Sequence, residues 1–264
     1  MKPQVYITSL NEQLYHQYGR TFIQSWLNNA DLDLVLVVVY EEATAPYLSE
    51  YSHANVIPLS LASDEHSLFR SKFGHFTEAR GLSLIPTSES EHTFQQAYNY
   101  RFDALRFSFK IFALLKVLRA GIVADQFAWI DADMVCRKRV TAVDMEPMFP
   151  SEQQIASYLG RENFPKPNAY SECGFVGYRL TNSRSVSFLE DFEGLYLNGD
   201  IFLLTEWHDS FIFDVLRYKY QGDGHDFKNL VEGLPESDHP FMQSPLSEFF
   251  DHLKGPERKQ RGYS

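Results

Sequence analysis

The sequence predicts an α/β fold, a single domain in which helices flank a mixed, mostly parallel sheet. Three observations favour this class. Strand-like and helix-like segments alternate along the first half of the 264 residues, which is the order of βαβ units. The run 34–40 is continuously apolar and rich in β-branched residues, as in a strand covered on both faces. A second apolar run, 127–130, ends in Asp131 and Asp133, and ligands gather at the carboxyl ends of strands in open α/β sheets.

The elements follow in chain order. Strands are predicted at 5–8, 34–40, 55–59, 127–130, 155–159 and 174–178, and helices at about 12–27, 100–119, 183–196 and 210–218. Pro58 weakens the third strand because proline cannot donate to a ladder, and Gly121 is a typical helix stop. The polar segment 86–91 is predicted to be an exposed loop. No repeat or linker divides the chain, so we expect one domain, 1–264, in two halves, 1–135 and 136–264.

Composition and charge disfavour several classes of protein. A net charge of −11 and a pI of about 5.3 disfavour binding to nucleic acid or to an anionic membrane. The two cysteines, Cys136 and Cys173, give no disulfide framework and suit a reducing compartment. The first residues lack a signal-peptide pattern, and the run 34–40 is too short to cross a bilayer. We therefore expect a cytoplasmic protein without an integral membrane segment.

The acidic pair at the end of the fourth predicted strand is the first candidate site. Side chains alternate along an extended chain, so Asp131 and Asp133 leave the same face. Two carboxylates this close repel each other, and one takes up a proton unless a cation lies between them. A divalent metal is the simplest such cation, and a metal held there could neutralise a diphosphate. The alternative is a solvated turn in which an aspartate caps the next segment.

The basic tail is the second candidate. Residues 254–261 hold four basic side chains and one acid, and Lys254 and Arg258 flank Gly255, which lets the backbone approach a phosphate closely. His252 offers a nitrogen ligand, and carboxylates with imidazole suit Mn²⁺ at least as well as Mg²⁺. The alternative is a frayed basic terminus with an ordinary histidine.

Two further pairs of charged residues are candidates for the site. Arg106 and Lys110 are four residues apart on one helix face, where like charges repel, so an anion opposite would suit them; otherwise they are surface cations. Glu172 and Asp209 lie beside aromatic residues and could bind sugar hydroxyls or act as a base. The alternatives are a helix-dipole partner for Asp209 and a buried ion-pair partner for Glu172.

Taken together, these features resemble the glycosyltransferases of the GT-A fold, which have a Rossmann-like sheet. The matching order is a βαβ half, a helix with Arg and Lys, a strand ending in Asp-Ala-Asp, and a late His-x-x-Gly. The tail is similar to the His-x-x-Gly-x-x-Lys signature of the retaining families that include glycogenin and the bacterial lipopolysaccharide galactosyltransferases. Arg258 stands at the position of that lysine, and the Pro-Trp that follows in the family is absent.

The resemblance implies a metal-dependent transfer of a sugar from a nucleoside diphosphate to a hydroxyl of a glycan, lipid-linked or small-molecule acceptor. It implies a nucleotide-binding first half and an acceptor-side second half. By resemblance, Mn²⁺ or Mg²⁺ would bind Asp131, Asp133 and His252, and the aspartate of a helix-start motif falls on Asp209. Ser210 replaces the glutamine expected there, which leaves retention or inversion open.

The same comparison assigns the remaining contacts to the donor. Residues expected to hold the donor or its phosphates are Thr8, Ser9, Tyr40, Arg106, Lys110, Asp131, Lys254, Gly255 and Arg258. Asp209 and Glu172 would orient the donor sugar or the acceptor, or act as the base.

Two other functions compete. The segment 130–135 also resembles the first motif of haloacid-dehalogenase-type phosphatases, in which the first aspartate is a nucleophile. That motif normally opens the fold, whereas three predicted strands precede it here and no Asp-Asp pair follows. A non-catalytic sugar-nucleotide-binding module on a transferase fold is the other alternative, since fold does not fix function.

Overall fold

The computed structural model describes residues 2–41, 44–51, 55–87, 90–162, 164, 169–235 and 239–253, without the side chains of 46, 50, 84–87 and 90–95. The strands are β1 (Gln4–Leu10), β2 (Leu34–Tyr40), β3 (Val56–Ser60), β4 (Leu82–Thr87), β5 (Ser90–Tyr98), β6 (Gln126–Ile130), β7 (Met134–Cys136), β8 (Gln154–Leu159), β9 (Glu172–Arg179), β10 (Asp226–Asn229) and β11 (Phe250–His252). The α-helices are α1 (Glu12–Leu14), α2 (Arg20–Asn29), α3 (Ala45–Leu48), α4 (Asp64–Phe73), α5 (Ala104–Arg119), α6 (Ala142–Met145), α7 (Ser183–Asn198), α8 (Asp209–Gly222) and α9 (Pro240–Gln243).

A seven-stranded sheet lies at the centre, in the order β10-β8-β9-β6-β1-β2-β3. Neighbouring strands are parallel except at β9, which is antiparallel to both β6 and β8. Pro58 is tolerated because β3 is the edge strand of this sheet. The mixed, mostly parallel sheet with flanking helices confirms the predicted fold class. Because β9 runs backwards, its first residue lies at the edge where β1, β2 and β6 end.

Both faces of the sheet are covered, as the run 34–40 predicts. Val35 and Val37 belong to one buried cluster, together with side chains of α5, α7 and α8. Leu36 and Val38 belong to a second cluster, on the other face, together with Trp26 of α2. A strand that alternates between two apolar layers gains no stability from polar residues on either face, which explains its continuous β-branched sequence.

Helix α5 carries two of the predicted cations to the ligand edge. Asp103 caps its start, because its Oδ1 accepts from the Arg106 N–H at 3.0 Å. The helix therefore begins at Ala104, later than the predicted start near residue 100. Gly121, with φ +72°, follows its end, as predicted. None of the described helices combines the length and apolar character that a bilayer-spanning segment needs.

The prediction of an exposed loop at 86–91 was wrong for the residues that the structure describes. Strands β4 and β5 form an antiparallel hairpin in which Pro86 pairs with Phe94. The run 86–91 is polar after its proline and has no period-two alternation of apolar residues, so its sequence alone gives no strand signal.

A second short ribbon, β7 with β11, joins the acidic pair to the late histidine. It pairs Met134 with His252, and the N–H of Leu253 donates to the Asp133 carbonyl oxygen at 2.8 Å. Residues separated by more than a hundred positions are thereby fixed side by side.

Candidate functional site

A cleft of about 850 Å³ opens at the edge where β1, β2 and β6 end and β9 begins. Predicted site residues that line it are Ser9, Arg106, Lys110, Asp131, Asp133, Glu172, Asp209 and His252. They come from β1, α5, the turn after β6, β9, α8 and β11. The cleft thus gathers side chains from both halves of the sequence.

The acidic pair and His252 converge at the floor of this cleft. Nε2 of His252 lies 3.2 Å from Oδ1 of Asp133 and 4.0 Å from Oδ2 of Asp131. One ligand atom from each of the three residues lies within 4.8 Å of the other two. Asp133 and His252 are buried, and Asp131 is partly open to the cleft.

These three side chains fit a divalent cation. Ligand atoms on one octahedral ion with bonds of about 2.1 Å lie from about 3.0 Å apart, when adjacent, to about 4.2 Å apart, when opposite. The separations from the His252 nitrogen to the Asp133 and Asp131 oxygens fall inside that range. Two carboxylates and one imidazole form an oxygen and nitrogen donor set that suits Mn²⁺ or Mg²⁺.

The environment of His252 favours a positive charge at its ring. Burial alone would lower its pKa, but hydrogen bonding to Asp133 and Glu172 and the charge of Asp131 outweigh burial and raise the pKa to about 9. The acids around this ring therefore attract a cation, which is a proton when no metal competes for the nitrogen.

Lys110 places a second positive charge, after that of His252, near the end of β6. Its ammonium group pairs with the carboxylate of Asp209, lies 3.4 Å from Oδ1 of Asp131, and donates to the Cys173 carbonyl oxygen at 2.7 Å. Burial disfavours the ammonium form, but the two carboxylates outweigh it and raise the pKa of Lys110. The indole N–H of Trp129 donates to Asp131 at 2.6 Å, and the ring lies 4.9 Å from the ammonium.

Asp209 owes its position to the start of α8. The Nδ1 of His208 accepts from the Phe211 N–H at 3.4 Å and caps the helix, and its Nε2 lies 2.9 Å from Glu206. Asp209 is buried in the first turn, where an acid also interacts favourably with the helix dipole. Burial raises the pKa of Asp209, but Lys110 outweighs it and the net shift is downwards.

Glu172, the first residue of β9, is buried on the other side of His252. Its Oε1 lies 3.0 Å from Nδ1 of His252 and 3.6 Å from Nδ1 of His239. Its Oε2 accepts from Arg161 at 3.2 Å. The ring of His252 thus lies between Glu172 and the acidic pair.

The far end of the cleft is built from the ends of β1 and β2. Ser9 lines it, whereas the predicted Thr8 is fully buried and, like Tyr40, is not among its lining residues. Glu41 lines the cleft instead, and burial raises the pKa of its carboxyl group. Tyr18, which the sequence analysis missed, lies in a π-helical turn (Tyr15–Gly19) that also lines this end. Such turns are frequent at functional sites, but no sequence pattern announces them.

Arg106 lies one turn before Lys110 on the same helix and also lines the cleft. Its Nη1 donates to the Tyr98 hydroxyl at 3.2 Å, and its guanidinium carbon lies 5.7 Å from the ring centroid of Phe107. The spacing therefore brings both predicted cations to one cavity.

The remaining predictions fall on the tail. Lys254, Gly255 and Arg258 lie outside the described residues, which end at Leu253. Conversely, Arg161 and His239 belong to the site although nothing in the sequence singled them out. Each lies in a segment without periodicity and reaches Glu172 from a different loop.

Comparisons with known proteins bear on the fold. No protein-family model matches the sequence, and no curated protein sequence matches it. Among solved structures, the WbbM bifunctional glycosyltransferase aligns with 97% of this chain and 46% of its own, at a TM-score of 0.53 and 12% identity. This chain therefore spans less than half the length of WbbM.

Two other solved structures align with lower scores. A glycosyltransferase involved in glycosylation of the major capsid of PBCV-1 gives a TM-score of 0.47 at 11% identity, covering 98% of this chain and 100% of its own. Mouse xyloside xylosyltransferase 1 gives 0.46 at 11% identity, covering 87% and 85%. Of these three alignments, only that with WbbM reaches a TM-score above 0.5, and it shows that this chain shares the fold of that solved structure.

Proposed function

We propose that this chain is a metal-dependent glycosyltransferase that moves a sugar from a nucleoside diphosphate to an acceptor hydroxyl. The observation that carries the proposal is the convergence of Asp131, Asp133 and His252 in one cleft at the ligand edge of the sheet. The fold shared with WbbM, whose name describes it as a glycosyltransferase, supports the same activity.

The cations of α5 suit the diphosphate part of such a donor. Breaking the bond to the sugar leaves new negative charge on the diphosphate, and preorganised positive groups stabilise it. Lys110 supplies a buried ammonium group, and Arg106 supplies a fork of N–H donors one turn away. A metal bound by the two aspartates and His252 would supply further positive charge to the same oxygens.

The carboxylates Asp209 and Glu172 take different roles in this proposal. Asp209 lines the cleft and is paired with Lys110, so it holds the ammonium in place and presents its remaining oxygen to the donor sugar or the acceptor. Glu172 also lines the cleft, but Arg161 donates to its Oε2 and His252 lies 3.0 Å from its Oε1, so both of its oxygens are occupied by protein groups. The nucleotide would extend from the acidic pair towards Ser9, Glu41 and the Tyr18 turn.

A second cavity favours an acceptor built of sugar rings. It measures about 580 Å³ and shares the side chain of Arg161 with the cleft. Tyr218, which is 57% exposed, lines it together with the amides of Gln221 and Gln243. Aromatic faces and planar amides are the groups on which a sugar packs and hydrogen-bonds, so the acceptor would approach across Arg161.

The phosphatase alternative is weaker. Its first motif normally opens the fold on an early strand, whereas β1 to β5 precede the acidic pair here. The shared fold with a glycosyltransferase also disfavours it. Release of phosphate from a generic aryl phosphate would restore this alternative.

A donor panel tests the proposal. Sugar nucleotides with uridine, guanosine and thymidine bases are incubated with the protein and Mn²⁺, and release of nucleoside diphosphate is measured. We expect one donor to be hydrolysed slowly, hydrolysis to stop with excess chelator, and Asp133→Asn to abolish it without loss of fold. Asp191→Asn, on helix α7 and outside the cleft, is the control. Full activity of Asp133→Asn with chelator present would refute metal dependence, and binding without hydrolysis would favour the non-catalytic module.

A further inference from the structure

His252 lies between two sets of carboxylates, one at each ring nitrogen. Nε2 faces Asp133 at 3.2 Å, and Nδ1 faces Oε1 of Glu172 at 3.0 Å, which is a hydrogen-bonding distance. The His252 and Glu172 side chains are only 4% and 3% exposed. A buried imidazole in contact with acids on both sides has little freedom to rotate.

The backbone fixes this arrangement. Strand β11 carries His252 beside β7, and the reversed strand β9 starts at Glu172, next to the end of β6. Gly174, the third residue of β9, faces the ring of His252, and a Cβ at this position would lie 3.0 Å from Cε1 of that ring. Any side chain at this position would push the ring away from β9 by a few tenths of an ångström.

Glu172 is itself held from the side away from the acidic pair. Arg161 donates to its Oε2 at 3.2 Å, and the ring of His239 lies 3.6 Å from its Oε1 and packs edge-on against His252. A guanidinium partner keeps a buried carboxylate charged and oriented.

We propose that Glu172 is a positioning residue that acts through His252: it holds the Nδ1–H and thereby directs the Nε2 lone pair towards Asp131 and Asp133. This inference rests on the proposed function, because it concerns the metal ligand of that site. Histidines that bind metals commonly donate the other ring N–H to a carboxylate, which fixes the ring and makes the ligand nitrogen more basic. The hydrogen-bonded series Arg161, Glu172 and His252 has that form. Glu172 would therefore serve the metal site and not contact the acceptor.

Calorimetric titration of the full chain with Mn²⁺ alone tests the inference without a known donor. Glu172→Gln should weaken Mn²⁺ binding by about 10- to 100-fold, with the melting temperature showing that the fold is kept. Glu193→Gln is the matched control. Glu193 is buried to the same extent as Glu172 and is also paired with an arginine, Arg119, but it does not line the cleft. It should leave the affinity unchanged.

A double-mutant cycle shows whether Glu172 acts through His252. In a His252→Ala background, Glu172→Gln should change the Mn²⁺ affinity by less than about twofold, because its route to the metal is already lost. An equal loss in both backgrounds would overturn the inference, since Glu172 would then act only as a distant charge. If the wild type and Glu172→Gln bind Mn²⁺ with the same affinity, the role of Glu172 is refuted while the metal dependence of the proposed function stands. Absence of Mn²⁺ binding by the wild type would overturn the metal dependence of the proposed function together with it.

Discussion

Replacing Lys110 with methionine tests the ion-pair network at the end of β6. Methionine keeps most of the volume of the lysine stem but removes the ammonium group. Asp209 then loses its ion-pair partner inside the protein, and Asp131 keeps its bond from Trp129 but loses a nearby positive charge. The free energy of unfolding should fall because a buried carboxylate is left without its cation.

The size of the loss follows from burial. Removing one partner of a buried ion pair costs about 3–5 kcal/mol. The side chains of Lys110 and Asp209 are 15% and 9% exposed, so the pair is buried. Water reaches Asp131, which is 32% exposed, and we therefore expect a loss at the lower end of the range, about 3 kcal/mol. Adding Asp209→Asn removes the stranded charge, so the double variant should be less destabilised than the sum of the two single variants by about 1–2 kcal/mol.

Urea unfolding at 25 °C, followed by tryptophan fluorescence and circular dichroism, measures these differences. Lys116→Met is the matched control on the same helix, because Lys116 lies in an exposed setting and donates to the Ala62 carbonyl oxygen. It should cost less than about 1 kcal/mol. The account of the network would be refuted if Lys110→Met were no more costly than Lys116→Met, or if the Lys110 and Asp209 substitutions were additive.

Two further substitutions probe close packing and burial. Gly174→Ala places a Cβ 3.0 Å from His252, so it should displace the ring and weaken Mn²⁺ binding about tenfold by calorimetry. Gly194→Ala is the control, because a Cβ there meets nothing within 4 Å, and it should leave Mn²⁺ binding unchanged. Equal effects of the two substitutions on Mn²⁺ binding would contradict the packing argument. Burial, with a smaller effect of Arg70, lowers the pKa of His66 from 6.5 to about 4, so below pH 6.5 the unfolded chain gains a proton that the folded chain does not. Through this group, the free energy of unfolding should fall by roughly 3 kcal/mol from pH 6.5 to pH 4. In urea unfolding of His66→Leu, that part of the dependence of unfolding free energy on pH should be missing. The same dependence in the variant and the wild type would contradict the prediction.

The core of the fold could be predicted because its signals are local. The run 34–40 alternates between two buried layers, and Gly121 ends α5 at the expected residue. The hairpin of β4 and β5 could not be predicted, since it is defined by backbone pairing between two strands, and the polar run 86–91 has the composition of a loop. The starts of helices differed where a cap such as Asp103 decided them.

The charged residues that line the candidate site could be predicted from the sequence, whereas the residues that hydrogen-bond to them and hold them in place could not. Asp131 and Asp133 stand out because two acids after a buried strand need a cation. Arg161 and Trp129 do not stand out, because an arginine in a loop and an indole in a strand have ordinary structural uses. The role of Glu172 depended on the antiparallel course of β9, which one strand's sequence does not reveal.

Anomalous diffraction from crystals containing Mn²⁺ would locate the metal itself. We expect one strong peak about 2.2 Å from carboxylate oxygens of Asp131 and Asp133 and from Nε2 of His252. A peak on the opposite side of the ring, between Glu172 and His239, would contradict it. So would crystals with no manganese in the cleft at concentrations that support donor hydrolysis.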